Sequence, residues 1–168
     1  MDTKATKHIE QRVGVFVDVQ NLYYSARAIY KKKVNFGAIL KDVTAGRKLI
    51  RAIAYVIKTD TYKKEKDFFD ALEKIGFEVK SKDLQVFYGG AKKGDWDIGI
   101  AMDTIELAPK LDTIILVSGD GDYVELLQHL KRAMSCKVEV AAFKKSASSK
   151  LIEEADDFND LSKKKYLI

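Results

Sequence analysis

The chain has 168 residues, of which 46% are hydrophobic and 33% charged, and its net charge is +5 at pH 7. This length suits one domain with a real core, and the absence of any apolar run of about 18 residues excludes a membrane-spanning helix. The polar N-terminus lacks the apolar stretch of a secretory signal, and the single cysteine, Cys136, excludes a disulfide framework and a cysteine-based zinc cluster. We therefore expect one cytoplasmic domain over residues 1–168, with residues 1–11 as a flexible N-terminal extension.

The first half of the chain begins with a buried strand. The segment "VGVFVDV" (13–19) is nearly all β-branched or aromatic, as in a strand covered on both faces. The segment 62–76 predicts an amphipathic helix with one apolar stripe, formed by Phe68, Phe69, Leu72 and Ile75. The predicted elements are, in order, strand 13–19, helices 22–32 and 36–45, strand 48–58 and helix 62–76.

The second half continues the alternation after two short strands within 77–89. Helix 96–108 is expected to end at Pro109 and to bury a stripe of Ile98, Ala101, Ile105 and Ala108. The remaining predicted elements are strand 112–119, a helix with the stripe Tyr123, Leu126, Leu127, Leu130 and Met134, strand 137–143 and helix 149–158. This alternation indicates βαβ units and a parallel sheet covered by helices on both faces.

Acidic and small polar side chains stand where predicted strands end or a helix begins. Strands 13–19 and 112–119 carry them at their carboxyl ends, and helix 96–108 opens with two aspartates. The candidate site residues are Asp18, Asn21, Asp95, Asp97, Ser118, Asp120 and Asp122. Because ligands of an open parallel sheet bind beyond the carboxyl ends of its strands, we expect at least four carboxylates to converge at one edge.

A cluster of carboxylates repels itself unless some of them take up protons or a cation enters. Oxygen donors without cysteine or a suitable histidine favour Mg²⁺ or Mn²⁺. Two such ions can activate a water and stabilise the leaving oxygen of a phosphodiester. The sequence therefore predicts a Mg²⁺ or Mn²⁺ site with phosphodiester chemistry.

Each of these acids also has a purely structural interpretation. Asp97 and Asp120 could cap helices, where acids suit the helix dipole. Asp18 fits that interpretation less well, since an unpaired carboxylate inside an apolar strand is costly. Asp103 lies six residues after Asp97, about 120° around the helix, so spacing alone predicts that Asp103 is exposed to solvent.

Other catalytic chemistries have little support. Neither His8 nor His129 has an evident catalytic partner, and no glycine-rich nucleotide-binding loop follows a strand. The lysine clusters and the basic loop "GGAKKG" (89–94) could be solvated segments or a polyanion-binding surface. The aromatic residues near the predicted site could either pack in the core or stack on bases. These are Tyr23, Tyr24, Tyr88 and Trp96.

Three segments resemble a known family when they are taken together. "VFVDVQN" (15–21), "KGDWDIGIAMD" (93–103) and "LVSGDGDY" (117–123) are similar to the signature blocks of the NYN domain, a branch of the PIN-like nuclease superfamily. Within it the resemblance is closest to the LabA-like bacterial group. The segment "EEADDFNDL" (153–161) is similar to the family's closing helix, so the resemblance spans essentially the whole chain.

The resemblance implies an α/β fold, a PIN-like three-layer α/β/α sandwich with a central, mainly parallel sheet. It also implies a metal-dependent ribonuclease whose acids fall on Asp18, Asp97, Asp120 and Asp122. The second acid of the family's D-x5-D spacing falls on Asp103, and Asp95 is an extra acid beside Asp97. Asn21 and Ser118 match the small polar positions that orient the acids.

Our hypothesis from the sequence is an endoribonuclease-like hydrolase with Mg²⁺ or Mn²⁺ as cofactor and RNA as partner. The nucleic-acid contacts are expected from Lys58, Lys92, Lys93, Lys144, Tyr23 and Trp96. A non-catalytic RNA-binding module of the same fold and a TOPRIM-like metal-dependent phosphotransfer enzyme are the alternatives. No membrane partner is expected, and the family resemblance is compatible with a homodimer.

Overall fold

The structure, a computed structural model, describes residues 7–59, 62–86, 88–89 and 92–168. For residues 62, 63, 85, 86, 92 and 93 it describes the backbone alone. The strands are β1 (Arg12–Asp18), β2 (Lys48–Lys58), β3 (Glu78–Asp83), β4 (Gln85–Val86), β5 (Lys92–Lys93), β6 (Thr113–Val117), β7 (Lys137–Ala142) and β8 (Asp157–Asp160). The α-helices are α1 (Val19–Tyr30), α2 (Phe36–Thr44), α3 (Tyr62–Ile75), α4 (Asp97–Leu107), α5 (Val124–Arg132) and α6 (Ser149–Glu154).

Six of the strands form one parallel sheet in the order β3-β2-β1-β6-β7-β8, and β4 and β5 form a small antiparallel ribbon. The chain builds the sheet outward from β1 in both directions, so the carboxyl ends of β1 and β6 flank a topological switch point. Val17 of β1 is paired with Val117 of β6. The residues that follow them, Asp18 and Ser118, therefore emerge side by side at this switch point.

Helices cover both faces of the sheet, because alternate residues of each central strand point to opposite faces. Val15 of β1 belongs to the core cluster that contains residues of α1, α2 and α3. Phe16, the next residue, belongs to the cluster that contains residues of α4, α5 and α6. The expected three-layer α/β/α sandwich with a parallel central sheet is confirmed. No membrane-crossing helix is found in the part of the chain that the structure describes.

The predicted helix 149–158 is wrong in its second half. Helix α6 ends at Glu154, and Asp157–Asp160 forms the edge strand β8, which is paired with β7. The backbone N–H of Asp156 donates to the carbonyl of Val138 (2.8 Å), and that of Leu161 donates to Ala142 (2.9 Å). The open edge of β7 thus provides partners that override the local helical pattern. The family's closing helix therefore corresponds here to a short helix followed by a strand.

The predicted apolar stripe of α4 is wrong at Ile98 and Ile105, whereas Ala108 is buried and Ala101 packs against the core. Ile98 is 75% exposed and Ile105 is 36% exposed, whereas Ile100 and Thr104 are fully buried. Thr104 can be buried because its hydroxyl donates to the carbonyl of Ile100 (2.8 Å), which satisfies the polar group within the helix. The side of α4 that packs on the sheet is therefore rotated from the one that hydrophobic spacing favours.

A buried ion pair lies near the amino end of the sheet. Arg47 precedes β2, and its guanidinium donates to both carboxylate oxygens of Glu139 on β7 (2.7 and 2.9 Å). The remaining donors reach the carbonyls of Val43 and Thr44 and the side chain of Gln11. Residues 1–6 of the predicted extension lie outside the described residues, while Lys7 approaches Asp157 at 3.4 Å.

Candidate metal and nucleic-acid site

Asp18 is a buried carboxylate at the end of β1, with 8% of its surface exposed. It caps α1, because its Oδ1 accepts the backbone N–H of Asn21 (3.3 Å), while its Oδ2 accepts the hydroxyls of Tyr123 (3.3 Å) and Ser118 (3.4 Å). Burial raises the pKa of Asp18 to about 6, and the negative charges of Asp97 and Asp120 act in the same direction. The hydrogen bonds from Asn21 and Tyr123 oppose this shift.

Three further carboxylates converge beside it. One oxygen from each of Asp97, Asp120 and Asp122 can be chosen so that all three atoms lie within 4.8 Å of one another. Asp97 opens α4, and Asp120 and Asp122 follow β6, so the group joins two elements distant in sequence. Burial raises the pKa of Asp97, as do the negative charges of Asp120, Asp95 and Asp122. The carboxyl edge therefore accumulates negative charge, as the sequence predicts.

Asp120 serves as a cap and as a member of this group. Its Oδ1 accepts the backbone N–H of Asp122 (2.9 Å) and so caps the short turn Gly121–Tyr123. The capping bond holds the carboxylate of Asp120 beside Asp97. No described lysine or arginine forms an ion pair with Asp120. The structural and the functional interpretations of Asp120 are therefore compatible.

Tyr123 is a site residue that is absent from the predicted set, because its spacing places it in the apolar stripe of the following helix. Its ring is buried and its hydroxyl lies 3.0 Å from Asp97 and 3.3 Å from Asp18. A phenol has one proton, so it can donate to only one of these carboxylates at a time. Burial and the two neighbouring acids raise the pKa of Tyr123, which keeps the hydroxyl protonated. A buried tyrosine hydroxyl needs a hydrogen-bond partner, so a tyrosine within an apolar stripe, directly after two aspartates, was a usable signal in the sequence.

Asn21 and Ser118 hold the loop that follows β6 against the start of α1. The side-chain oxygen of Asn21 accepts the backbone N–H of Gly119 (3.0 Å), and the hydroxyl of Ser118 accepts that of Asp120 (3.3 Å). Gly119 lies in a close approach, because a Cβ there would lie 3.0 Å from the Cα of Ala147. Both predicted polar residues thus contact the loop that carries Asp120.

The other two predicted acids have different surroundings. Asp95 is exposed, and its Oδ1 accepts the backbone N–H of Asp97 (3.2 Å). Asp103 accepts the hydroxyl of Tyr55 and the ammonium of Lys80, each at 2.8 Å. The structure therefore places Asp95 beside the carboxylate group and Asp103 outside it. Asp103 is not freely solvated either, because only 18% of its side chain is exposed.

The two aromatic candidates differ in how freely they face the solvent. Tyr23 is 42% exposed, packs edge-to-face on Tyr24 and accepts a hydrogen bond from Arg27 (2.9 Å). Trp96 is held in place, because its indole N–H donates to the carbonyl of Val56 (2.8 Å) and its ring lies against Tyr55. Tyr23 thus offers ring surface to a ligand, whereas Trp96 mainly packs the start of α4.

The predicted basic contacts are distributed over two sides of the site. Lys58 is exposed at the carboxyl end of β2, and Lys144 is exposed shortly after the carboxyl end of β7. The side chains of Lys92 and Lys93 lie outside the described residues. The described candidates therefore flank the carboxylates rather than neutralise them.

The four acids suit a hard divalent cation. No described lysine or arginine lies within 4 Å of Asp18, Asp97, Asp120 or Asp122. Their donor atoms are all carboxylate oxygens, which Mg²⁺ and Mn²⁺ prefer. The raised pKa values of Asp18 and Asp97 mark a site where added positive charge would be favourable.

Comparisons with known proteins identify the family of the chain. Residues 12–162 match the family model of the NYN domain. The chain is 25% identical over 162 residues to the low amplitude and bright protein LabA of Synechococcus elongatus, covering 90% of this chain and 84% of LabA. It also matches the crystal structure of a protein of unknown function from Vibrio parahaemolyticus, with a TM-score of 0.88 and 34% identity over 97% of this chain and 99% of that one. The chain belongs to the NYN domain family.

Proposed function

We propose that the protein is a metal-dependent ribonuclease that hydrolyses phosphodiester bonds within RNA. The observation that carries the proposal is the convergence of Asp97, Asp120 and Asp122 within 4.8 Å, beside the buried Asp18 and without a described cationic partner. Membership of the NYN family, in the PIN-like nuclease superfamily, supports a hydrolase that acts on nucleic acid.

The surroundings of each acid indicate its role in metal binding. Asp97, Asp120 and Asp122 would hold Mg²⁺ or Mn²⁺, directly or through water, and Asp18 would complete the site from the end of β1. A bound cation of this kind supplies water activation and stabilises charge on phosphate oxygens. Tyr123 would keep Asp18 and Asp97 oriented through its hydroxyl, and Asp95 would add negative charge at the start of α4.

The polar and basic residues around the acids would position the substrate. Asn21 and Ser118 keep the loop of Asp120 in register with α1. Tyr23 offers an exposed ring on which a base could stack. Lys58, Lys92, Lys93 and Lys144 would attract the phosphate backbone, while Trp96 would act through the packing of α4.

The test is cleavage of single-stranded RNA by Asp120→Asn. Asparagine retains the oxygen that caps Asp122, so folding is preserved while one charge is lost. Wild type should cleave with Mg²⁺ or Mn²⁺ and stop with EDTA, and Asp120→Asn should not cleave. Asp70→Asn, an exposed acid on α3, is the matched control and should cleave as wild type does.

Equal cleavage by all three proteins, or cleavage that is unaffected by EDTA, would refute the proposal. RNA binding by wild type without cleavage under any metal condition would also refute it, and would favour a non-catalytic RNA-binding module.

A further inference from the structure

Three lysine clusters that are far apart in the sequence are gathered by the fold. They are Lys31–Lys33 after α1, Lys144 and Lys145 after β7, and Lys163–Lys165 after β8, eight lysines in all. We call this set the lysine face. Lys144 is the one member of this set among the predicted nucleic-acid contacts.

The C-terminal residues bring two of the clusters together. The backbone N–H of Ile168 donates to the carbonyl of Lys33 (2.8 Å), and that of Lys33 donates to Ile168 (3.1 Å). The ring of Tyr166 is buried, and its hydroxyl donates to Asp42 on α2 (2.7 Å). The segment 163–165 is therefore held beside 31–33 by a buried anchor and backbone pairing.

The third cluster joins through Tyr30, the last residue of α1. The ring of Tyr30 lies 5.6 Å from that of Phe143, and the ammonium of Lys145 lies 5.9 Å from the ring of Tyr30. A cavity of about 540 Å³ opens here, lined by the second cluster and by residues that precede the first and the third. They are Tyr30, Lys144, Lys145, Asp160 and Ser162.

Positive charge on the lysine face is mostly uncompensated. Lys165 pairs with Asp42 at 2.6 Å, but the other seven lysines have no carboxylate within 4 Å in the described part of the chain. Asp160 accepts backbone N–H groups of Lys144 and Ser162 and is paired with none of the lysines. Clustered like charges repel one another, and a polyanion that displaces their counterions relieves that repulsion.

The lysine face lies on the same edge of the sheet as the candidate site. Lys144 follows the carboxyl end of β7, and Lys163–Lys165 follow that of β8. Helix α1 connects the two regions, since it begins at the residue after Asp18 and ends at Tyr30. Its 12 residues span about 18 Å, and Tyr23 and Tyr24 are exposed along it.

We propose that the lysine face is an RNA-binding exosite that holds the phosphate backbone of a single-stranded substrate on the β7–β8 side of the candidate site. The inference rests on the proposed function, because it takes RNA as the substrate and the carboxylates as its point of cleavage. The exposed tyrosines of α1, between the two regions, favour RNA over another polyanion, since bases stack on aromatic rings.

The experiment measures binding of a fluorescein-labelled single-stranded oligouridine in EDTA, where cleavage does not interfere, as a function of salt. Lys145→Gln/Lys164→Gln removes two charges from the lysine face. Lys74→Gln/Lys110→Gln removes two exposed lysines that precede β3 and β6 at the opposite edge of the sheet and serves as the matched control. The lysine-face variant should bind more weakly, with a salt slope lower by about 1.4, and the control should behave as wild type.

Equal losses in both variants, or no loss in either, would overturn the exosite. Vesicles of phosphatidylserine and phosphatidylcholine provide a second arm, and a lysine-face variant that loses vesicle binding but keeps RNA binding would overturn it in favour of a membrane surface. Cleavage is read separately with Asp120→Asn. RNA binding that depends on the lysine face without metal-dependent cleavage would sink the proposed function and leave the exosite standing.

Discussion

Two buried carboxylates, one near each end of the sheet, differ in whether a cationic side chain pairs with them. Glu139 is 5% exposed and forms two hydrogen bonds with the guanidinium of Arg47. Asp18 is 8% exposed and has hydroxyl and amide donors but no described cationic partner, and burial raises its pKa to about 6. At the amino end, the buried charge of Glu139 is neutralised by a residue of the chain itself. At the carboxyl end, the desolvation cost of ionised Asp18 remains, and a bound cation could offset it.

The difference separates structural acids from site acids. A buried carboxylate that is paired stabilises the packing around it, and removing its partner leaves an uncompensated charge. A buried carboxylate without a cation destabilises the fold at neutral pH. A buried carboxylate without a cationic partner is expected where function requires its negative charge, as at the switch point of an α/β sheet.

The largest effect should come from breaking the compensated pair. Arg47→Leu is expected to lower the free energy of unfolding by about 3–5 kcal/mol, because Glu139 would remain buried with only Lys7, 3.8 Å away, as a cationic partner. Urea denaturation measures this loss. The double variant Arg47→Leu/Glu139→Leu should recover most of it, and a double variant no more stable than the single one would contradict the comparison.

At the other end, Asp18→Asn should stabilise the protein when metal is absent. The folded pKa of about 6 lies above the unfolded value of about 3.9, so ionisation of Asp18 costs the folded state about 3 kcal/mol once pH exceeds 6. The folded state binds more protons between pH 4 and 6, so wild-type stability falls as pH rises through this range. Asp18→Asn should reduce that fall, leaving the part due to the raised pKa of Asp97, as thermal denaturation in EDTA at several pH values would show.

Asp112→Asn is the control, because the pKa of Asp112 is lowered by folding whereas that of Asp18 is raised. The hydrogen bonds from Arg12 hold the pKa of Asp112 below its usual range, so its ionised form is the one stabilised by folding. This variant should leave the protein no more stable at neutral pH than wild type. A stability gain in both variants would mean that loss of net negative charge, rather than burial of Asp18, is responsible.

A smaller effect should follow from Tyr123→Phe, which keeps the ring and removes the hydroxyl between Asp18 and Asp97. A hydrogen bond to a charged group contributes about 1.5–3 kcal/mol, so Mn²⁺ affinity measured by calorimetry should fall roughly tenfold or more. Tyr166→Phe removes a hydroxyl from Asp42, far from the site in sequence, and serves as the control. Unchanged Mn²⁺ affinity in Tyr123→Phe would show that the hydroxyl does not orient the acids.

The smallest effect is expected at Asp103, the acid that lies outside the group. Asp103→Asn should leave Mn²⁺ affinity unchanged and lower the free energy of unfolding by roughly 0.5 kcal/mol, the range of a partly exposed ion pair. Its partners Tyr55 and Lys80 account for its burial without a metal. A large loss of Mn²⁺ affinity in this variant would mean that Asp103 reaches the site.

Most elements were predictable because their signals are local. The strand predicted at 13–19 is observed at Arg12–Asp18, and that at 48–58 matches Lys48–Lys58, since β-branched runs in buried strands have no helical alternative. Strand β8 escaped prediction because "DFND" has no strand signal, and its conformation depends on the free edge of β7. The buried side of α4 was misjudged because a satisfied Thr104 replaced an apolar residue.

The sequence by itself determined that strands alternate with helices and that acids follow the strands at the switch point. Both properties depend on residues that are neighbours in the chain. Only the tertiary structure decided which charges are compensated, because desolvation and Coulomb energies depend on distances through space. Arg47 reaches Glu139 across 92 positions of sequence, while Asp18 has no described cation beside it. The same reason explains why lysine clusters far apart in the sequence come together only in the fold, two through the pairing of Ile168 with Lys33 and the third through Tyr30.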